Sequence, residues 1–295
     1  MNILVTGGNG FLGKRVVKHL SEAGHKVRVL VIPEEDTTYL ATLNIEIIRG
    51  DMTVKETIKG ICDDIETVVH LAAILTTSDH HLNFLINYEG TKNIADLADE
   101  AGVKKFVFTS SMTVTGKNPN EYGLSKKKAE EYLATKNFIK IIIRPTLLYG
   151  KEGFGFQKMI ELSSMLPFIV PMIGSGSARK QPIYVEDAAK ILTKAALLEF
   201  RGNKVYEMGG PEAESVKDII KRILKIRGQK KMFFHIPRWF LFMGCYFAEK
   251  ALKNPPLTRD AILQFEMPIE VDHKMIEEDF DIKLTSFDEG LRKSV

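Results

Sequence analysis

Tyr122 and Lys126 carry the clearest chemistry in this chain. Four residues apart on a helix, they share one face and stand one turn apart. A phenol with an ordinary pKa near ~10 is a poor base at neutral pH, and an adjacent ammonium favours its phenolate. Such a pair can exchange a proton with an alcohol or a carbonyl oxygen. The same spacing also occurs on any solvated helix, so its weight comes from its surroundings. Upstream, Thr109-Ser110-Ser111 closes an apolar run. A hydroxyl there can hold a substrate oxygen; a cap or turn is the alternative use, above all for Ser110. Asn87 lies within a long helical pattern. Asparagine is a mediocre helix former, so it has either a specific hydrogen-bonding duty or a solvent-facing position.

The elements that must position these groups start at once. Residues 1–14, MNILVTGGNGFLGK, read as a buried strand, a glycine turn and a helix start. Gly8-x-Gly10-x-x-Gly13 follows the apolar run Asn2–Thr6, and Phe11, Leu12, Val16, Val17 and Leu20 recur at roughly helical spacing. In that context the glycines allow a tight turn and the close approach of a pyrophosphate. The helix N-terminus then offers free N–H groups to the anion. Further strands are read at His25–Val31, Ile45–Ile48, Thr67–His70, Lys104–Thr109 and Ile139–Arg144. Helical patterns fill the intervals, notably from His81 to Glu100 and from Tyr122 to Lys136. The alternation predicts an α/β chain with a Rossmann-like doubly wound parallel sheet. Asp51 follows the third strand, placed to accept from an adenine amino group or simply to close a turn. After Tyr149-Gly150 the pattern becomes irregular. Residues 1–150 therefore read as a dinucleotide-binding domain and 151–295 as a smaller mixed substrate domain, with about 183–207 returning to the first.

Composition narrows the function classes. Lys and Arg number 41 against 38 Asp and Glu, a balance that gives no case for nucleic acid as a partner. Cys62 and Cys245 have no metal-ligand spacing, so no metal and no disulfide framework is expected. The chain enters Asn2–Val5 without a basic leader or a cleavage site, which points to a cytoplasmic, reducing location. Phe233–Leu252 is the most lipid-like stretch, but Arg238, Glu249 and Lys250 interrupt it and no membrane span is expected. It reads as a core or substrate-domain helix, with a helix lying on a membrane surface as the alternative. Residues 217–231 carry seven Lys and Arg against Asp218. They form either a solvated helix face or a basic lip that attracts a phosphorylated substrate.

Together the pieces resemble the extended short-chain dehydrogenase/reductase (NAD-dependent epimerase/dehydratase) family. The matching segments are TGGNGFLG (6–13), GDM (50–52), HLAA (70–73), NYEGT (87–91), FTSSMTVTG (108–116), YGLSK (122–126), RPTLLYG (144–150), PIYVEDAA (182–189) and YEMGGPE (206–212). The segment Pro255-Pro256-Leu257-Thr258-Arg259-Asp260 looks like the atypical branch containing the nucleotide-binding accessory subunit of respiratory complex I. The resemblance implies that Gly7, Asn9, Gly10 and Gly13 line the pyrophosphate, with N–H groups from Phe11 and Leu12. It places Asp51 and Met52 at adenine, and Leu71, Ala72 and Ala73 along the adenosine side. Tyr122 becomes the acid/base. Lys126 binds the nicotinamide ribose and lowers the tyrosine pKa, Ser111 holds the substrate oxygen, and Asn87 supports a proton relay. Pro145 and Leu148 meet the nicotinamide. The substrate is a small molecule, and a homodimer through the helices near 81–100 and 122–136 is in keeping with the family.

Three departures shape the functional reading. The second strand ends in Val31-Ile32, where the family has an acid for NAD or a cation for NADP. Glu34, Glu35 and Asp36 follow, and the lack of a cation there favours NAD. Only ten residues separate Ser111 from Tyr122, a shorter loop than in many nucleotide-sugar enzymes. Met112 and Thr113 stand where sugar dehydratases place Asp and Glu, which disfavours dehydration. The expected activity is an NAD(P)-dependent oxidoreductase or 4-epimerase acting on a secondary alcohol or ketone, a nucleotide sugar among the candidates. The other reading is a non-catalytic dinucleotide-binding accessory, assembly or redox-sensing protein.

Overall fold

The computed structural model describes residues 1–75, 79–252 and 259–294. Pro255–Thr258, part of the C-terminal resemblance, lies outside the described residues. The chain divides into two compact units. The first comprises Met1–Pro145, Glu186–Met208 and Lys274–Ile282; the second comprises Thr146–Val185, Gly209–His273 and Lys283–Val295.

The first unit is built on a seven-stranded parallel sheet. Its strands are β1 (Asn2–Thr6), β2 (Lys26–Val31), β3 (Glu46–Arg49), β4 (Thr67–His70), β5 (Lys105–Thr109), β6 (Ile139–Pro145) and a last strand at Lys204–Met208. The spatial order runs Lys204–Met208, β6, β5, β4, β1, β2, β3. Near-continuous apolar runs suit strands buried on both faces, and Ile3, Leu4 and Val5 are all fully buried. The order reverses between β1 and β4, which pair in register from Ile3 with Thr67 to Thr6 with His70. Ligands of such sheets sit outside the carboxyl ends at this reversal.

Helices cover the sheet. α1 (Gly13–Glu22) buries Val16, Val17 and Leu20. The stretch expected as one helix from His81 is three pieces: α2 (His80–Phe84), a wider π turn over Leu85–Gly90, and α3 (Thr91–Glu100). The π turn holds Asn87 fully buried, and such turns collect at functional sites. α4 (Glu121–Leu133) starts at Asn120, whose side chain accepts from Gly123 N at 2.9 Å. Lys274–Ile282, not anticipated in this unit, is tied in by Tyr206 Oη donating to Asp279 Oδ2 at 2.6 Å and by Phe280 packed on the Tyr206 ring.

The second unit is irregular, with three two-stranded sheets. Its core gathers Tyr149, Phe156 and Phe287 against a helix at Val216–Ile226, which buries Ile219, Ile220 and Ile223. The stretch Phe233–Leu252 departs from its expected burial. Its first residues extend as the strand Met232–Ile236, and a helix follows at Arg238–Ala251, in which Cys245 is the buried residue. The cause is composition: from Trp239 to Ala248 the helix carries no charge on any side, and one side is enough to pack. Among the described residues no helix is long and apolar enough to cross a membrane.

In the first unit the Phe106 ring stacks on Phe138 at 5.0 Å and is fully buried. Phe106→Ala is expected to cost about 3–5 kcal/mol, read as a lowered midpoint in urea unfolding.

Candidate active site

At the sheet reversal the ends of β1 and β4 almost touch. Gly7 has φ +68°, and a Cβ there would stand 2.6 Å from Ala72 N. Gly13 opens α1, and a Cβ on it would collide with Gly7 O at 2.0 Å. Gly10 differs. It is exposed, and the nearest protein atom to a Cβ would be Gly7 O at 3.3 Å. Protein packing thus accounts for Gly7 and Gly13, whereas at Gly10 the space is left open to solvent, where a ligand's pyrophosphate could approach.

Below this loop lies a buried chain of hydrogen bonds that sequence reasoning missed. His70 Nδ1 meets Thr6 Oγ1 at 2.8 Å, and its Nε2 meets Thr91 Oγ1 at 2.9 Å. Thr91 Oγ1 spends its proton on Asn87 O at 2.7 Å. It must therefore accept from His70 Nε2, leaving Nδ1 to accept from Thr6. Burial pushes the His70 pKa down to about 3, with a smaller contribution from the Lys126 ammonium. The imidazole is thus neutral and joins β1, β4 and α3.

The loop after β2 lies beside the glycine loop: Asn9 Nδ2 donates to Asp36 O at 2.9 Å. A cation from the next strand also reaches this loop. Arg49, at the end of β3, donates to Pro33 O at 2.6 Å, to Glu35 O at 3.2 Å and to Thr37 Oγ1 at 3.0 Å. It comes from a neighbouring strand, and only pairing of Val31 with Arg49 reveals it. Asp51 forms a turn in which its Oδ1 accepts from Thr53 N and Thr53 Oγ1, both at 2.8 Å. Met52 is buried, and its carbonyl accepts from Asn93.

The candidate proton-handling groups sit past the end of β5 and on α4. Ser111 Oγ accepts from Thr113 N at 3.2 Å and from Thr113 Oγ1 at 2.9 Å. Its own proton is therefore free for another oxygen. Tyr122 lies close enough to feel that hydroxyl. Burial pushes its phenol up to about 12, and the hydrogen bond with Ser111 pulls it back down. Gly123 permits this meeting, because a Cβ there would lie 2.9 Å from Pro119 Cβ and 3.1 Å from Thr113 O. Lys126 is fully buried. Its ammonium lies 4.2 Å from the Phe108 ring centroid, with no hydrogen-bond partner among the described residues. Desolvation brings its pKa down to about 7, against a smaller upward pull from Glu130. Lys126 is not among the groups that lower the Tyr122 pKa, which differs from the sequence expectation. The dominant effect on both groups is loss of water.

Asn87 works as a clamp. Its Oδ1 accepts from Ile74 N at 2.8 Å, and its Nδ2 donates to Ile74 O at 3.0 Å and to Ser125 Oγ at 3.2 Å. It ties the segment after β4, which includes Leu71, Ala72 and Ala73, to α4. Pro145 ends β6 in the first unit, and Leu148 starts a short strand in the second. Ser110 is buried with an unpaired hydroxyl among the described residues.

A dinucleotide fits these residues. Two buried polar atoms without partners among the described residues, Asn9 Oδ1 in the glycine loop and Lys126 Nζ on α4, lie along the carboxyl edge of the sheet. The basic lip expected around 217–231 is partly neutralised. Arg222 pairs with Glu212 at 2.9 Å, with Asp288 at 3.2 Å and with Glu214; Arg222 and Glu214 line a cavity of about 480 Å³ in the second unit. Among the described residues no cluster of three or more His, Cys, Asp or Glu is arranged to hold a metal ion.

Comparison with known proteins gives a consistent pattern. The model of the NAD dependent epimerase/dehydratase family matches residues 3–209. Ceramide reductase of Caulobacter vibrioides is 26% identical over 187 residues, covering 63% of this chain. The chain spans 58% of the length of that relative, less than two thirds. The 3 beta-hydroxysteroid dehydrogenase/Delta 5-->4-isomerase of Mycobacterium tuberculosis is 27% identical over 261 residues, or 77% of this chain and 70% of the relative. The crystal structure of Thermus thermophilus UDP-glucose 4-epimerase in complex with NAD superposes with a TM-score of 0.76 at 20% identity, covering 100% of this chain and 97% of the other. That likeness shows the fold.

Two outcomes follow. Asn87→Ala leaves the Ile74 backbone unpaired and is expected to lower stability by about 2–3 kcal/mol, read by thermal unfolding. The lysine gives a pH signature. Its folded pKa of about 7 lies below the ordinary 10.5. Below about 7 both states hold the proton and the burial penalty is full. Between about 7 and 10.5 the unfolded chain binds more protons, so stability rises with pH. Lys126→Met is expected to be more stable than the parent at neutral pH, with the gap closing as pH rises; a gap that widens contradicts the assignment.

Proposed function

The chain belongs to the NAD dependent epimerase/dehydratase family, and on that premise we propose that it interconverts a secondary alcohol and its ketone, with Tyr122 as the acid/base. One observation carries this reading: Ser111, Tyr122 and Lys126 gather past the carboxyl end of β5, beside a glycine loop shaped for a dinucleotide. NAD, when bound, accepts or returns the hydride. The chain's own groups handle the proton. The Ser111 hydroxyl, which accepts twice from Thr113, keeps its own proton for a substrate oxygen. Tyr122 exchanges its proton with that substrate oxygen. The Lys126 ammonium is a buried donor without a partner among the described residues, and it would hold a ribose hydroxyl of the cofactor.

The residues after Ser111 support redox or epimerisation chemistry over dehydration. Met112 and Thr113 offer no carboxyl pair, and Thr113 spends both its N–H and its hydroxyl on Ser111. A purely nucleotide-binding role has no use for Tyr122 and Lys126 on one helix beside a strand-end serine. The names of the sequence relatives make a ceramide or a 3β-hydroxysteroid the first substrates to try, with UDP-glucose as the nucleotide-sugar alternative.

Tyr122→Phe is expected to cut turnover by about 10²–10⁴-fold while leaving NAD binding intact. NADH absorbance on a panel of these substrates reads the first, and titration of bound NADH fluorescence reads the second. Full turnover in Tyr122→Phe refutes the mechanism.

A further inference from the structure

The second unit exposes an apolar surface. Phe168 is 76% exposed, Met232 77%, Trp239 68% and Phe247 63%. Phe168 precedes the strand Ile169–Ile173, which pairs with Met232–Ile236, so Phe168 and Met232 lie at one end of the same small sheet. Met232 N donates to Phe168 O at 2.9 Å, and Phe234 from the same strand is also exposed. The helix Arg238–Ala251 follows the other end of that strand, after Ile236. Trp239, Met243 and Phe247 recur every four residues, which puts them on one face. The opposite face carries the buried Cys245. A helix apolar all round is normally enclosed, in a core or in lipid. An exposed patch of this kind marks an interaction surface.

The charge beside the patch identifies the occupant. Residues 223–248 contain Lys225, Arg227, Lys230, Lys231 and Arg238 and no carboxylate. Arg238 pairs with Glu266 at 3.3 Å. The other four have no carboxylate partner among the described residues. Two of them reach the apolar loop itself: Arg227 donates to Ser164 Oγ at 2.8 Å, and Lys231 donates to Ser163 O and Leu166 O, each at 2.8 Å. Exposed aromatic and aliphatic side chains in a segment that also carries unpaired cations match a bilayer surface, where apolar groups enter below the headgroups and cations meet anionic phosphates. A tryptophan and a tyrosine on the same helix, Trp239 and Tyr246, suit the water–lipid boundary.

We propose that this face of the second unit docks on an anionic lipid bilayer, holding the protein at the membrane surface without a spanning helix. The inference rests on surface chemistry and stands whether or not the proposed reaction is correct.

Trp239 is the sole tryptophan of the chain, so native fluorescence reads the patch directly. Vesicles of phosphatidylcholine mixed with phosphatidylglycerol are expected to shift its emission to the blue, with quenching by lipids brominated on the acyl chain. Pure phosphatidylcholine gives a much smaller shift, and added salt weakens binding. Arg227→Gln combined with Lys230→Gln is expected to lower vesicle partition by about 30-fold. Phe240→Ser with Phe247→Ser lowers partition while leaving the thermal midpoint unchanged or higher, because Phe240, 54% exposed on the same helix, and Phe247 both face solvent. Absence of a blue shift and of acyl-chain quenching overturns the proposal. So does a concentration-dependent dimer in sedimentation that the Phe240→Ser/Phe247→Ser variant abolishes, since a second copy then covers the face.

Discussion

The first unit depends on how closely two strand ends approach each other. The backbone of β1 leaves the sheet at Gly7 and passes so near Ala72 that a methyl group cannot be inserted. That contact sets the width of the cleft at the sheet reversal. It is stiffened from below by Thr6, His70, Thr91 and Asn87, each of which has one hydrogen-bond direction open to it. A charged imidazole could not accept from Thr6, so the neutrality of His70 is part of the architecture. The same chain ends on the carbonyl of Asn87, whose side chain reaches α4 and therefore Tyr122 and Lys126. The glycine loop's strand and the helix that carries Tyr122 and Lys126 are thus parts of one hydrogen-bonded body.

The site also holds a balance of unfavourable terms. Tyr122 and Lys126 are both driven by desolvation toward their neutral forms, from opposite directions. An uncharged phenol near an easily neutralised amine is a quiet pair. The features that can wake it are specific: the Ser111 hydrogen bond acting on the phenol, and an acceptor supplied to the lysine. Thr113 controls the first of these by occupying both lone pairs of Ser111, which leaves that hydroxyl only as a donor.

Much of this was legible in the chain because it is written locally. The glycine loop, the strand–helix alternation and the Tyr-x-x-x-Lys spacing depend on neighbours within a few residues. Arg49 was not legible, because its role depends on pairing with β2, and residues 33–37 look like an ordinary acidic loop until β3 is laid beside them. His70 sat in a recognisable run, but its neutrality follows from partners 64 and 21 residues away. The π turn at Leu85–Gly90 escaped because its apolar spacing differs little from that of an α-helix. Phe233–Leu252 was misjudged for a related reason. Hydrophobicity shows that a segment must leave water, and it does not show what the segment meets.

The first unit is assembled from three separated stretches of chain. Its sheet ends at β6 until residues 204–208 arrive, and those residues follow a long excursion through the second unit. During synthesis β6 therefore waits as an open edge with its backbone unpaired, a hazard for misassociation. The loop closure that adds the last strand is costly in entropy and slow. The Tyr206–Asp279 tether comes later still, after most of the chain has been made. Folding of the nucleotide-binding unit is thereby coupled to completion of the whole polypeptide, so a chain interrupted within the second unit leaves the first incomplete as well.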